Sequence, residues 1–238
     1  QKTAYELSLG LVGSEMCIRD SNSIGRVATY FGNVGMLVRA FTYISRLGHT
    51  GLQAVSRQAI LNANYIAHRL KPHYPVVYTG SNGRVAHECI VDLRTIKTAT
   101  GITVEDVAKR LVDYGFHAPT MSWPVADTFM IEPTESESKS ELDRFCDAMI
   151  SIRNEIAEIE SGQCDKENNL LRNAPHSIQL LAESEWVYPY PQARAFFPST
   201  DTLQEKYWPP VGRVDSLYGD KNLVCTCPPI ESYRADAA

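Results

Sequence analysis

Apolar residues line the stretch Phe31–Leu47 on nearly every side, with Met36, Leu37, Val38, Ala40, Phe41, Tyr43, Ile44 and Leu47 among them. That pattern predicts a buried helix, stopped by Gly48. Thr50 is the predicted cap of a second helix whose apolar positions Leu52, Val55, Ala59, Ala63, Ile66 and Leu70 step by three or four, with Pro72 ending it. Short β-rich runs at Val76–Tyr78 and Val85–Leu93 flank the turn residues Ser81-Asn82-Gly83 and read as strands. Thr103 with Asp106 opens a short helix that carries Val104, Val107 and Leu111 inward, and Gly115 closes it. Thr128–Ile131 reads as a strand. Ser138 with Glu141 then predicts a capping box for a long helix with the stripe Leu142, Phe145, Met149, Ile152, Ile156 and Ile159, running to Gly162. Helices alternating with strands imply an α/β fold in which helices pack on a short sheet.

Beyond Cys164 the pattern is lost. Eight of the thirteen prolines fall here, interleaved with Trp186, Tyr188, Tyr190, Phe196, Phe197, Tyr207 and Trp208. Proline density argues against regular helix or central strand, and the aromatics need burial. The expectation is an ordered, extended tail over residues 165–238 that wraps another surface, following an α/β domain over residues 21–164.

Residues 1–20 sit apart from this organisation. Glu6 and Glu15 interrupt any signal-peptide core, and the stretch is neither Arg-rich nor poor in acids as a transit peptide is. Leu11–Asp20 instead resembles a translated sequencing-library adapter, so residues 1–20 are expected to be non-native. On that reading the natural protein is cut open before Ser21.

Composition narrows the class further. The 238 residues are 44% hydrophobic and 21% charged, with 23 basic and 28 acidic side chains and a formal net charge of −5. A mildly acidic chain is a poor match for nucleic acid, and no apolar run approaches the ~18 residues of a membrane span. Six cysteines in a chain this long do not make a disulfide scaffold; reduced thiols are expected. The picture is of a soluble metabolic protein.

The richest stretch for chemistry is Gly115–Pro124, a connector bearing a titratable His117 and the hydroxyls of Thr120 and Ser122 between prolines. It is either a rigid binding loop or a stiff connector packed by Phe116 and Trp123. Glu132 and Glu135 stand where a strand enters a helix and suit capping as well as acid–base work. Cys225-Thr226-Cys227 lacks the second ligand pair that zinc wants, so no metal site is expected. From the residues themselves, no reaction follows.

The motifs are nevertheless long. Tyr114–Val125 (YGFHAPTMSWPV), Met130–Ser136 (MIEPTES), Glu141–Met149 (ELDRFCDAM), Ala59–Tyr65 (AILNANY) and Asp220–Pro229 (DKNLVCTCPP) together resemble the P-protein family of the glycine cleavage system, the decarboxylating glycine dehydrogenases. The resemblance runs from about Ser23 to Tyr233. It implies the C-terminal small domain of a fold type I pyridoxal phosphate enzyme, one that releases CO2 from glycine and passes the aminomethyl group to the lipoyl arm of the H-protein. It implies further a homodimer or paired subunit in the complete enzyme, in the cytoplasm of a bacterium or the mitochondrial matrix of a eukaryote.

The family's Schiff-base lysine lies in a Ser-His-Lys-Thr-Phe stretch, and no lysine here has that context. This chain by itself is therefore expected to be inactive, with the cofactor bound mainly by an upstream domain. The competing expectation is a noncatalytic module that docks a lipoyl carrier or a sister subunit. By the same resemblance His117, Thr120 and Ser122 are expected to face the cofactor cleft or the carrier arm. Cys225 and Cys227 are candidate redox thiols.

Overall fold

The structure is a computed structural model and describes residues 32–183 and 185–222. The chain divides into two units, Gln1–Ala54 and Val55–Ala238.

In the first unit the described residues are the start of a long helix, α1 (Val34–Leu70), which is broken at Gly48 (φ 60°, ψ −173°). That backbone lies in the left-handed half of the map, where glycine carries no Cβ penalty, so the helix divides into two arms at the stop the sequence predicts. The arm over residues 34–47 departs from expectation. Its pattern predicts burial, yet Val34, Met36, Leu37, Val38, Phe41 and Ile44 are all exposed. Burial needs a covering surface, and the described residues of the first unit do not supply one.

The second unit is built on a four-stranded sheet, in the order β1 (Val76–Val77), β2 (Cys89–Asp92), β4 (Thr128–Ile131) and β3 (Thr120–Met121). Every pairing is antiparallel, with Val76 opposite Val91, Cys89 opposite Ile131 and Thr120 opposite Met130. β2 starts four residues later than its β-rich run predicts. The reason is Asn64 of α1, whose side-chain amide donates to the Val85 carbonyl (2.8 Å) and accepts from the Val85 N–H (3.0 Å). Those backbone groups are already satisfied and need no ladder.

Between β2 and β4 run α2 (Arg94–Thr100) and α3 (Val104–Asp113). The hydrophobic pattern gives no sign of α2. It is entered where Asp92 accepts from the Arg94 N–H at 2.9 Å, and it ends at Gly101 with φ 79°. For α3 the predicted box is complete: the Thr103 hydroxyl accepts from the Asp106 N–H while Asp106 accepts from the Thr103 N–H. The long helix α4 (Lys139–Glu160) has half of its predicted box, with Ser138 accepting from Glu141 N–H. Its stripe of Leu142, Met149, Ile152, Ile156 and Ile159 is buried as the spacing requires, against Val91, Leu111 and Phe129 of one core cluster.

The proline- and aromatic-rich segment is less extended than its composition predicts. It forms the short helices α5 (Leu170–Asn173), α6 (Ile178–Ala182), α7 (Gln192–Phe196), α8 (Thr200–Gln204) and α9 (Ser216–Lys221). Proline serves as a boundary here: Pro191 is the N-cap of α7. The surface this segment wraps is the domain's own. Trp186, Tyr188, Tyr190 and Phe196 gather around His176, with ring centroids 4.9–6.4 Å apart. Tyr190, Ala195 and Phe196 join the same buried core as α3 and α4.

Candidate functional site

A cleft of about 370 Å³ opens between the connector that follows α3 and the start of α4. One wall is Phe116–Thr120, the floor is Met130–Pro133 at the end of β4, and the far side carries Glu137, Glu141 and Phe145.

The connector is held from both ends. Gly115 (φ 81°) turns the chain out of α3, and the Phe116 N–H returns to the Leu111 carbonyl at 3.0 Å. Arg144 of α4 donates to the Tyr114 carbonyl (2.9 Å) and lays its guanidinium over the Phe116 ring, 3.7 Å from the centroid. Phe116 also meets Phe145 edge to face at 5.4 Å. A cation over an aromatic face plus an aromatic pair gives this loop rigidity that its sequence does not advertise.

His117 and Thr120 both line the cleft and both are exposed. The His117 Nδ1 stands 3.0 Å from the Ala118 carbonyl, which fixes the ring's orientation. Ser122 lies elsewhere, at the β3–β4 turn, with φ 56°. Its N–H donates to the Thr128 carbonyl (2.8 Å) and its Oγ accepts from the Asp127 N–H (3.2 Å). So the structure brings two of the three expected residues to one cleft and gives the third to the turn behind it.

Glu132 lies on the cleft floor; Glu135 is not among the lining residues. His87 does not line the cleft, but it neighbours the floor in a way that the sequence does not show: its Nε2 stands 3.9 Å from Glu132 and 4.0 Å from Glu88. No local signal marks it, because β2 and β4 are joined only through the sheet register. Glu141 is held below the usual carboxylate range by its two hydrogen bonds from Arg144 (2.8 and 2.5 Å). It is therefore an anion at neutral pH.

This donor set does not fit pyridoxal phosphate. A phosphate wants cationic or N–H donors, and the cofactor's aldehyde wants a lysine amine. The lining residues offer Glu132, Glu137 and Glu141 with His117, and no lysine or arginine.

The cysteines add nothing here. Cys89 and Cys146 are buried, and desolvation pushes both thiols up to about 12, which makes them inert at neutral pH. Cys225 and Cys227 lie outside the described residues. Among the described residues no group of three His, Cys, Asp or Glu side chains is placed to hold a metal ion, and no helix is long and apolar enough to cross a membrane.

Comparison with known proteins shows the family. The chain is 58% identical over 217 residues to the glycine dehydrogenase (decarboxylating) of Nitrobacter winogradskyi, covering 91% of this chain and 23% of that protein. It is 56% identical over 210 residues to the protein of the same name from Rhodopseudomonas palustris, covering 88% and 21%. The chain thus spans less than a quarter of the length of these relatives. Residues 55–176, more than half of the chain and including the whole cleft, match the family described as glycine dehydrogenase, C-terminal domain. The chain belongs to that family.

Proposed function

We propose that this chain is the C-terminal part of a glycine-decarboxylating enzyme, and that the cleft bounded by Phe116–Thr120 and Glu132 is the wall it contributes to the active site. The reaction of the complete enzyme would release CO2 from glycine and deliver the aminomethyl group to the lipoyl arm of the H-protein. The observation that carries this reading is the pair of relatives at 58% and 56% identity, both glycine dehydrogenases (decarboxylating).

The cofactor chemistry belongs to the part of the polypeptide beyond this chain, since the lining residues here do not suit its phosphate or aldehyde. What these residues can do is bind and orient. The His117 ring and the Thr120 hydroxyl offer a donor and an acceptor on an otherwise apolar wall of Phe116, Ala118 and Pro119. A lipoyl arm, with its apolar chain and polar amide, matches such a wall. For the 238-residue chain by itself, the lack of a lysine among the lining residues favours the second reading, a noncatalytic module that docks a lipoyl carrier or a sister subunit.

The test is a full-length enzyme carrying this region with His117→Ala, Thr120→Ala and Ser122→Ala made singly. His117→Ala and Thr120→Ala should each raise KM for lipoylated H-protein, or lower kcat, by about tenfold, the scale of one lost polar contact. Ser122→Ala should act more weakly. Unchanged kinetics for all three would sink the proposal.

A further inference from the structure

Asn62 stands in the apolar stripe of α1, between Ala59 and Ile66, and is only 3% exposed. A buried amide is costly unless it is hydrogen-bonded. Gln58, one helical turn earlier, donates to the Asn62 Oδ1 at 2.6 Å and so fixes which way the amide points. The Asn62 Nδ2 then donates to the carbonyl of Thr134 at 2.9 Å, 72 residues along the chain.

Thr134 is an unusual partner. Its φ of 56° puts a β-branched residue in the left-handed region, where such residues are outliers. Its Oγ1 lies 2.8 Å from Ser136 Oγ and accepts from the Ser136 N–H at 3.3 Å, which holds the turn locally. Asn62 holds it from across the fold. A conformation of this kind persists only when its surroundings over-determine it, and such positions cluster at functional sites.

The place of the turn gives the hold its consequence. Glu132 and Pro133 form cleft floor and Glu137 stands on the far side, while residues 134–136 between them do not line the cleft. The backbone at Thr134 therefore sets how far apart floor and far side stand. Ile66 lines the same cleft and lies one helical turn after Asn62, on the same face of α1. One helix thus supports both the floor and the turn that ends it.

We infer that Asn62 is a positioning residue of the cleft: through Thr134 it places the Glu132 carboxylate relative to Glu137 and so sets the width open to the arm of a lipoyl carrier. This rests on the reading of the cleft as a wall met by that arm, and deepens it by naming a residue outside the lining that sets the cleft's dimensions.

The test uses a full-length enzyme carrying this region, with Asn62→Ala, with Asn62→Ala and Thr134→Asn together, and with Thr103→Ala. Asparagine tolerates the left-handed region and its side-chain oxygen can take the Ser136 N–H, so Thr134→Asn should keep the turn without Asn62. Asn62→Ala should raise KM for lipoylated H-protein about tenfold while kcat changes less than about threefold. Adding Thr134→Asn should recover most of that rise. Thr103→Ala weakens a helix cap away from the cleft and should leave KM unchanged. A purely structural role for Asn62 would lower the active fraction, and hence kcat, at constant KM; that result overturns the inference. So does a KM rise of equal size in Thr103→Ala, or no recovery with Thr134→Asn.

If Asn62→Ala does not fold, Asn62→Ser, too short to reach Thr134, is scored by the same criteria. If the unsubstituted enzyme does not turn over glycine, the enzymatic reading fails by itself. The inference is then decided by binding of lipoylated H-protein to the 238-residue chain. Binding weakened about tenfold by Asn62→Ala supports it. Equal binding, or none by the unsubstituted chain, overturns it.

Discussion

Arg110 of α3 and Glu155 of α4 meet in two parallel hydrogen bonds, Nε to Oε2 at 3.0 Å and Nη2 to Oε1 at 2.7 Å, at full burial of the guanidinium. The same guanidinium donates to Asp113 Oδ2 (2.9 Å) and to the carbonyls of Arg194 (2.8 Å) and Ala195 (3.0 Å). One side chain therefore ties the two main helices to the aromatic-rich segment 84 and 85 residues further on. A buried ion pair is a modest net gain, but breaking one leaves uncompensated charge and costs about 3–5 kcal/mol. Arg110→Ala strands two carboxylates, so urea unfolding should show a loss of that size. A loss below about 1 kcal/mol would mean that water replaces the guanidinium freely.

Asp113 is the hub of the second half of this network. Its Oδ1 accepts the His176 backbone N–H at 2.7 Å, and its Oδ2 lies 2.8 Å from His176 Nδ1, whose ring contacts the Tyr190 hydroxyl at 3.0 Å. Burial by itself pushes this carboxyl up, but the His176 hydrogen bonds and the Arg110 charge outweigh it and hold the value below the usual range. A carboxylate whose folded pKa is depressed below an unfolded value near ~3.9 contributes stability above that pH and loses it as pH falls through the folded value. His176→Phe removes the ring partner, so its acid-unfolding midpoint, read by circular dichroism, should move to higher pH. An unmoved midpoint would show that His176 does not hold Asp113 ionised.

Lys206 is shifted in the same direction, but by burial instead of by paired charge. Desolvation lowers its amine to about 8 while its Nζ donates to the Asp113 carbonyl at 2.7 Å. Because the unfolded chain keeps this proton up to a pKa near ~10.4, the unfolded state binds more protons between the two values, and stability rises with pH across that window. Competition labelling with acetic anhydride should give Lys206 a midpoint near 8. Lys139, raised by its hydrogen bonds to Asp143 and Tyr65, should titrate above an ordinary lysine and well above Lys206. A Lys206 midpoint above 10 would contradict the burial.

The two main helices start differently, and the difference is measurable. Thr103 and Asp106 cap α3 reciprocally, whereas Ser138 caps α4 from one side. Loss of an N-cap costs ~0.5–2 kcal/mol. Thr103→Ala should fall near about 1.5 kcal/mol in thermal or urea unfolding and Ser138→Ala near about 0.5 kcal/mol, with equal losses counting against the reciprocal box as the source.

Local signals determined much of this protein by themselves. The Thr103–Asp106 and Ser138–Glu141 spacings, the α4 stripe, the Thr128–Ile131 strand and the helix stop at Gly115 act within four residues or so of chain, through hydrogen bonds and side-chain periodicity that a sequence displays directly. The family resemblance was likewise legible in the Tyr114–Val125 motif. What tertiary structure decided lies across longer separations. Asn64 delays β2 by claiming Val85 from 21 residues away, and the sheet register carries His87 to Glu132. The left-handed backbone at Ser122 turns its hydroxyl to the Asp127 N–H, while His117 and Thr120 line the cleft. Proline spacing forecast an extended tail, but Arg110 and the aromatic cluster fold it into short helices on the domain's own core. Those outcomes depend on which distant groups satisfy a buried donor or fill a buried volume, and that is set when the chain packs.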